Sequence, residues 1–247
     1  MTGLIDELVR STRRAVERRK RDPLPEREST MRSLSAAIRR VDKAIIAEIK
    51  PRSPSAGDLL GARDALAIAR DYEAGGAAAL SVLVAPAFGG AVETVSGAKR
   101  AVTVPVLYKD FIIDNFQISE GFSYGADAVL LIRGISPVER LMNLVDDLGM
   151  EAIVECHTAE DLERAMDAGA ELLGINNRDL STLTVDLETT ARLAESVPEN
   201  KLLISESGVK TPSDASYLFD CGADALLIGT ALMEAPNPKE FIQVCMT

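Results

Sequence analysis

From residue 44 onward, short runs rich in Val, Ile and Leu alternate with amphipathic stretches of about ten residues, and the rhythm continues to the C-terminus. The runs predict strands near 44–49, 78–83, 104–108, 127–132, 151–155, 171–175, 201–205 and 224–228. The stretches between and after them predict helices near 64–74, 92–101, 114–123, 137–148, 158–168, 187–196, 211–220 and 237–245. Ser136-Pro137-Val138-Glu139, Thr158-Ala159-Glu160-Asp161 and Thr211-Pro212-Ser213-Asp214 each place an acid three residues after a hydroxyl, the pattern of a capped helix start. Gly76-Ala77-Ala78, Gly125-Ala126-Asp127, Gly169-Ala170-Glu171 and Gly222-Ala223-Asp224 recur every 44–53 residues where a helix gives way to a strand. There glycine supplies the left-handed helix stop and alanine the tight entry. Eight such units match a closed (β/α)8 barrel better than an open doubly wound sheet, and the continuously apolar runs suit parallel strands covered on both faces. The reading is an α/β protein with a single (β/α)8 barrel over 44–247.

Ahead of the barrel, residues 4–19 show helical spacing, with Ile5, Leu8, Val9 and Ala15 among charges. A break at Asp22-Pro23-Leu24-Pro25 separates them from a second helical stretch near 29–40. Residues 1–43 are therefore expected to be a helical extension packed on the barrel, because its apolar stripe needs a surface to cover.

Composition narrows the function. The chain has 247 residues, 47% hydrophobic and 26% charged, enough to bury a large core. No run reaches the roughly 18 apolar residues of a membrane span, and the first 30 residues are charged rather than a signal core, so a soluble cytoplasmic protein is expected. A net charge of −11 argues against nucleic acid. Cys156, Cys221 and Cys245 form neither a disulfide framework nor a metal spacing, and His157 is the only histidine, so no metal site is expected.

The charges gather at strand ends. Glu48 and Lys50 close the first strand on one face, since side chains alternate with period two. Lys109-Asp110-Phe111 closes the third, Glu155 the fifth, Asn176-Asn177-Arg178-Asp179 the sixth and Ser205-Glu206-Ser207-Gly208 the seventh, while the fourth and eighth stay apolar through Leu131 and Ile228. One charge at a strand end is commonly a solvated one. Several converging on a barrel rim point to an active site, because barrel sites are built at the C-terminal strand ends and uncompensated charges there are costly. Ser207-Gly208 and Gly229-Thr230 offer bare backbone N–H groups, and Thr230-Ala231-Leu232-Met233 starts a short helix, the arrangement with which barrels bind phosphate. Phe88 and Phe111 lie at the rim, where they can line an aromatic pocket. His157 reads as a loop or supporting residue and Cys156 as packing.

The segments Glu48-Ile49-Lys50-Pro51-Arg52-Ser53-Pro54-Ser55, Leu107-Tyr108-Lys109-Asp110-Phe111-Ile112, Val154-Glu155-Cys156-His157-Thr158, Gly174-Ile175-Asn176-Asn177-Arg178-Asp179-Leu180 and Ser205-Glu206-Ser207-Gly208-Val209 resemble, in order, those of indole-3-glycerol-phosphate synthases. The resemblance spans 44–245, and the N-terminal helices also look like that family's extension. It implies a carboxy-lyase of tryptophan biosynthesis that closes, decarboxylates and dehydrates 1-(o-carboxyphenylamino)-1-deoxyribulose 5-phosphate without a cofactor. It further implies Lys109 as general acid, Glu155 as acid/base and Lys50 at the substrate carboxylate beside Glu48. Asn176 and Glu206 would orient the reacting chain. Ser53, Phe88, Phe111, Leu131, Arg178, Leu180 and Ser207 would contact substrate, and Gly208, Gly229 and Thr230 the phosphate. The expected partner is a phosphorylated small molecule, with no nucleic acid or membrane, and the chain is expected to be a monomer able to associate with other tryptophan-pathway enzymes. Ser53-Pro54-Ser55 would form a closing loop. Val84-Ala85-Pro86-Ala87 stands where the family commonly has a longer charged loop, Tyr108 where a basic residue is common, and Thr230 where serine is frequent. A phosphosugar isomerase using an Asp/Cys pair and a non-catalytic phosphate-binding barrel are the alternatives, and the five-segment match weighs against both.

Overall fold

The computed structural model describes residues 3–53 and 56–247, apart from the side chain of Leu4. Eight parallel strands close into a barrel: β1 Ala44–Ile49, β2 Ala79–Leu83, β3 Val106–Lys109, β4 Ala128–Ile132, β5 Glu151–Cys156, β6 Leu172–Asn176, β7 Leu202–Glu206 and β8 Ala225–Ile228. They follow one another around the ring in chain order, and β8 pairs back onto β1 with Ala44 opposite Ala225. Each apolar run meets two environments. Ile46, Leu107, Leu130, Ile153, Ile204 and Leu227 fill the interior, while Ile45, Val82, Val129, Leu131, Val154 and Leu226 face the surrounding helices. Continuous hydrophobicity is what a strand buried on both sides requires.

The helices keep the expected order, from Ala65–Ala74 to Pro238–Cys245. Thr158 and Thr211 form reciprocal capping boxes with Asp161 and Asp214. Ser136 does not: its hydroxyl donates to the Ile112 carbonyl at 2.7 Å and accepts from Ile132 N–H, so it ties two loops together and leaves the helix Val138–Asp147 without a side-chain cap. The recurring glycines Gly76, Gly125, Gly169 and Gly222 all adopt positive φ, between 87° and 100°. The acidic third position of two repeats has its own task. Asp127 accepts from Val106 N–H and Asp224 from Leu203 N–H, so each pins the start of the preceding strand. A two-residue hairpin pairs Arg52–Ser53 with Gly57–Asp58, and a 3-10 turn occupies Pro86–Phe88; neither has a periodic signature.

The N-terminal segment carries α1, Leu4–Arg19, and α2, Leu34–Ile38, the latter far shorter than the 29–40 stretch expected. Leu34 and Ile38 plug the barrel floor against Ala44, Ala79 and the other inward residues. The Glu151 carboxylate accepts from the backbone N–H groups of Leu34 and Ser35, an anion on a helix N-terminus. At the same end Asp127 is fully buried and takes Lys99 at 2.6 Å, Arg27 at 3.2 Å and Arg32 N–H at 2.9 Å. At the opposite end Arg19 reaches Glu120 at 2.8 Å and Asp110 at 3.5 Å, and the Tyr108 hydroxyl donates to Glu120 at 2.8 Å. Tyr108, one residue out of phase with Lys109, thus belongs to the outer layer. Among the described residues no helix is long and apolar enough to cross a membrane.

Removing Asp127 strands a buried ammonium and frees two strand and extension N–H groups. Asp127→Ala is expected to lower the unfolding free energy by about 3–5 kcal/mol, as breaking a buried pair does, measured by urea denaturation.

Candidate active site

Period-two alternation brings four inward side chains to the C-terminal end of the barrel: Glu48 from β1, Lys109 from β3, Glu155 from β5 and Glu206 from β7. Lys109 Nζ lies 3.1 Å from Glu48 Oε2 and 3.4 Å from Glu206 Oε2. Lys50, just past β1, stands 3.6 Å from Glu48 Oε1, so the two do share a face. Glu155 Oε1 accepts from Asn176 Nδ2 at 2.7 Å, and Asn176 Oδ1 in turn accepts from Arg178 N–H at 2.9 Å, which fixes the amide's orientation. Asn177 points the other way, into a buried network with Ser205 and Thr190 that braces β6 against β7.

Burial and charge pull these groups apart. Burial alone raises the Glu48 carboxyl, but the Lys109 and Lys50 ammoniums outweigh it and hold the group below the usual carboxylate range. Burial disfavours the Lys109 ammonium, yet Glu48, Glu206 and Glu155 more than compensate and raise it. Glu155 is raised by burial, with Lys109 and the Asn176 hydrogen bond opposing. Glu206 is pushed up to about 8, chiefly by burial and further by Glu155, with Lys109 opposing. One layer therefore holds an ionised carboxylate, an ammonium and a carboxyl that retains its proton at neutral pH, the separation that acid/base sites require. His157 Nε2 is 3.4 Å from Glu155 Oε1 without hydrogen-bond geometry, and burial lowers its basicity, so it stays neutral. Cys156 faces the outer layer and burial raises its thiol, in keeping with packing.

Two adjoining cavities open over this layer. The first, of about 280 Å³, is walled by Phe88, Phe111, Ser53, Leu180, Arg178 and, at its base, Glu48, Lys50, Lys109 and Glu155. The Phe88 and Phe111 rings stack with centroids 6.2 Å apart. Ile5 and Leu8 of α1 and Leu83, Leu130, Ile132 and Leu183 complete the wall, and none of them is a site residue that the sequence points to. Leu130 and Ile132 replace Leu131 as the β4 contribution. Inward positions on that strand are the even ones, and Leu131 packs among the helices. Period two, phased from the neighbouring strands, could have found them; Ile5 and Leu8 depend on where α1 docks.

The second cavity, of about 600 Å³, is lined by Lys50, Arg178, Ser207, Gly208, Lys210, Gly229 and Thr230. Ser207 has a positive φ of 65°, a strained conformation for a residue with a Cβ, and Gly208 follows at 105°, which glycine adopts freely, so the β7 turn stores strain at Ser207. The short helix Thr230–Glu234 begins at this cavity. Glu48, Lys50, Lys109 and Arg178 border both spaces, which makes them one site with an apolar arm and a polar arm. Pro54 and Ser55 of the expected closing loop lie outside the described residues.

A family model described as indole-3-glycerol phosphate synthase matches residues 5–244. The chain belongs to that family. Proteins named indole-3-glycerol phosphate synthase from Parafrankia sp. (strain EAN1pec) and from Methanothermobacter marburgensis are similar to it. The first is 44% identical, the match covering 90% of this chain and 84% of that protein. The second is 41% identical, covering 99% and 91%. Among solved structures, thiamine phosphate pyrophosphorylase from Pyrococcus furiosus superposes with a TM-score of 0.62 over 83% of this chain and 93% of its own, at 17% identity, a likeness of fold alone.

The raised Glu206 carboxyl has a stability consequence. Its proton is held in the folded chain up to about 8 and released from the unfolded chain near the ordinary 4.5, so stability present below that lower value is lost as pH rises through the upper one. Thermal unfolding between pH 5 and 8.5 is expected to show that decline, and Glu206→Gln is expected to flatten it.

Proposed function

We propose that the chain converts 1-(o-carboxyphenylamino)-1-deoxyribulose 5-phosphate to indole-3-glycerol phosphate. The observation that carries this reading is the Lys109 ammonium, held between Glu48 and Glu206 at the junction of an aromatic-walled cavity and a polar cavity lined by Ser207, Gly208, Gly229 and Thr230. The substrate has the same layout: a carboxylated aromatic ring at one end, a phosphate at the other and a ketone between.

The phosphate binds at Ser207, Gly208, Gly229 and Thr230, where backbone N–H groups and the helix start attract an anion. The anthranilate ring enters between Phe88, Phe111 and Leu180, with Ser53 at its edge, and its carboxylate meets Lys50. Arg178 contributes a second cation on the rim between the two arms. Anchoring both ends folds the flexible chain onto its own ring, and such positioning is worth up to about 7–11 kcal/mol. The aryl carbon that bears the carboxylate attacks the ketone carbon while Lys109 gives a proton to the ketone oxygen. Loss of CO2 returns its bonding electrons to the ring. Departure of the new hydroxyl as water, with removal of a proton from the adjacent methylene, completes the pyrrole. Glu155, positioned by Asn176, acts as acid/base in that elimination, and Lys50 takes part in it. Glu48 keeps both lysines in place, and Glu206 orients the reacting chain. The reading extends to an enzyme that works in the cytoplasm as a monomer able to associate with other enzymes of the pathway.

Incubating the purified protein with this substrate is expected to produce indole fluorescence, and none at saturating substrate would overturn the reading. Lys109→Ala is expected to fold as the parent does, by circular dichroism, and to lower turnover by roughly 10²–10⁴.

A further inference from the structure

Two inward positions in the top layer of the barrel carry no side chain. Gly174 on β6 and Gly229 after β8 continue the inward phase of Leu172 and Leu227. Neither has the positive φ that demands glycine; Gly174 lies within a strand, and Gly229 has φ −117°. Glycine at these positions provides room. A Cβ on Gly229 would collide with Glu48 Oε1. At Gly174 a Cβ would stand 2.5 Å from Glu206 Oε1, 3.0 Å from Ile153 Cγ2 and 3.4 Å from Glu155 Cα. The severe conflict is with the free end of a flexible side chain, and the approach to backbone is an ordinary contact. An added methyl therefore displaces a carboxyl more readily than a strand.

A second observation concerns what holds Glu206. Its Oε1 is buried and has no hydrogen-bond partner among the described residues, and Oε2 touches only the Lys109 ammonium. Shape, rather than hydrogen bonding, keeps Oε1 where it is. The side chain lies in the space that glycine leaves on the neighbouring strand, whose Asn176 is in register with Glu206 itself.

We propose that Gly174 is a positioning residue: its bare Cα forms the recess that seats the Glu206 carboxyl and, through it, sets where the Lys109 ammonium stands. The inference rests on the proposed role of Lys109 as proton donor. A methyl at 174 pushes the carboxyl out of the recess toward the cavity, where it is better solvated and no longer braces Lys109. The fold survives while proton delivery is misaligned.

The test is a double-mutant cycle between Gly174→Ala and Glu206→Ala, read by kcat, thermal midpoint and the titration of the 13C-labelled Glu206 carboxyl. Gly174→Ala alone is expected to fold, to lower kcat by roughly 10²-fold, the scale of a misplacement of about 1 Å, and to shift the Glu206 titration downward. In the Glu206→Ala background, where nothing occupies the recess, the same methyl is expected to change kcat by less than about twofold, a strong departure from additivity. Unfolding of Gly174→Ala only when Glu206 is present would support the recess through stability instead. Equal kinetic factors in both backgrounds, unfolding in both, or a Glu206 titration unchanged by the methyl would overturn the proposal. Because the titration needs no turnover, a parent protein that makes no indole would sink the reaction and still leave the recess open to confirmation or rejection.

Discussion

The Lys109 ammonium sits partly buried at the top of the barrel, against Glu48 and Glu206 and in the field of Glu155, and the surrounding structure has to make that loss of water tolerable. Taking charges out of water costs several kcal/mol per ion unless they are paired with good geometry. One cation cannot ionise three carboxyls around it, so the layer divides its protons. Glu48, with two lysines, stays ionised, while Glu206, with one lysine and a second carboxyl near it, is driven to keep a proton. The division follows from packing, because the same residues in water would all titrate near their ordinary values. The separation of proton donor from ionised carboxylate and the electrostatic balance of the layer are here a single arrangement.

That arrangement depends on a barrel that cannot loosen, and the N-terminal segment secures it at both ends. Leu34 and Ile38 fill the floor, and Asp127 draws Lys99, Arg27 and Arg32 together beneath β3 and β4. At the other end Arg19 ties α1 to Asp110 and Glu120, and Ile5 and Leu8 form part of the cavity wall. Asp110 is the residue immediately after Lys109, so the extension is anchored one peptide from the proposed proton donor. A segment that composition alone casts as a cover is also part of the cavity wall and a brace for β3.

Much of this was legible in the sequence because it is local. The eight strands, the Thr158 and Thr211 caps and the left-handed glycines follow from propensity and periodicity, and the structure keeps them within a few residues. The charged rim was legible as a set, since Glu48, Lys109, Glu155 and Glu206 all sit at strand ends. Phase was harder. Leu131 and Leu130 are equally apolar, and only the neighbouring strands tell which faces inward. Ser136 matches a cap pattern, yet its hydroxyl accepts from Ile132 N–H and donates to the Ile112 carbonyl instead of accepting from the first turn of the helix. Asp127 reads as a strand start and is instead the hub of a buried ion cluster, assembled from segments about 100 residues apart. The roles carried by Ile5, Leu8 and Gly174 depend on what packs against them, which no window along the chain contains.

The two arms of the cavity explain why one lysine cannot do the work of two. Lys50 and Lys109 both border the two spaces, but among the described residues Lys50 meets the Glu48 carboxylate alone, whereas Lys109 ends β3 with its ammonium between Glu48 and Glu206. In the proposed reaction, a cation that grips the carboxylate has to be free enough to follow a substrate that loses that group. A cation meant to deliver a proton has to be fixed, because transfer falls off steeply with misalignment. Glu48 links the requirements: its Oε2 holds the fixed lysine at 3.1 Å and its Oε1 the looser one at 3.6 Å. A single carboxylate with unequal contacts thus keeps the two ammoniums close together yet distinct, as the proposed division of roles between them requires.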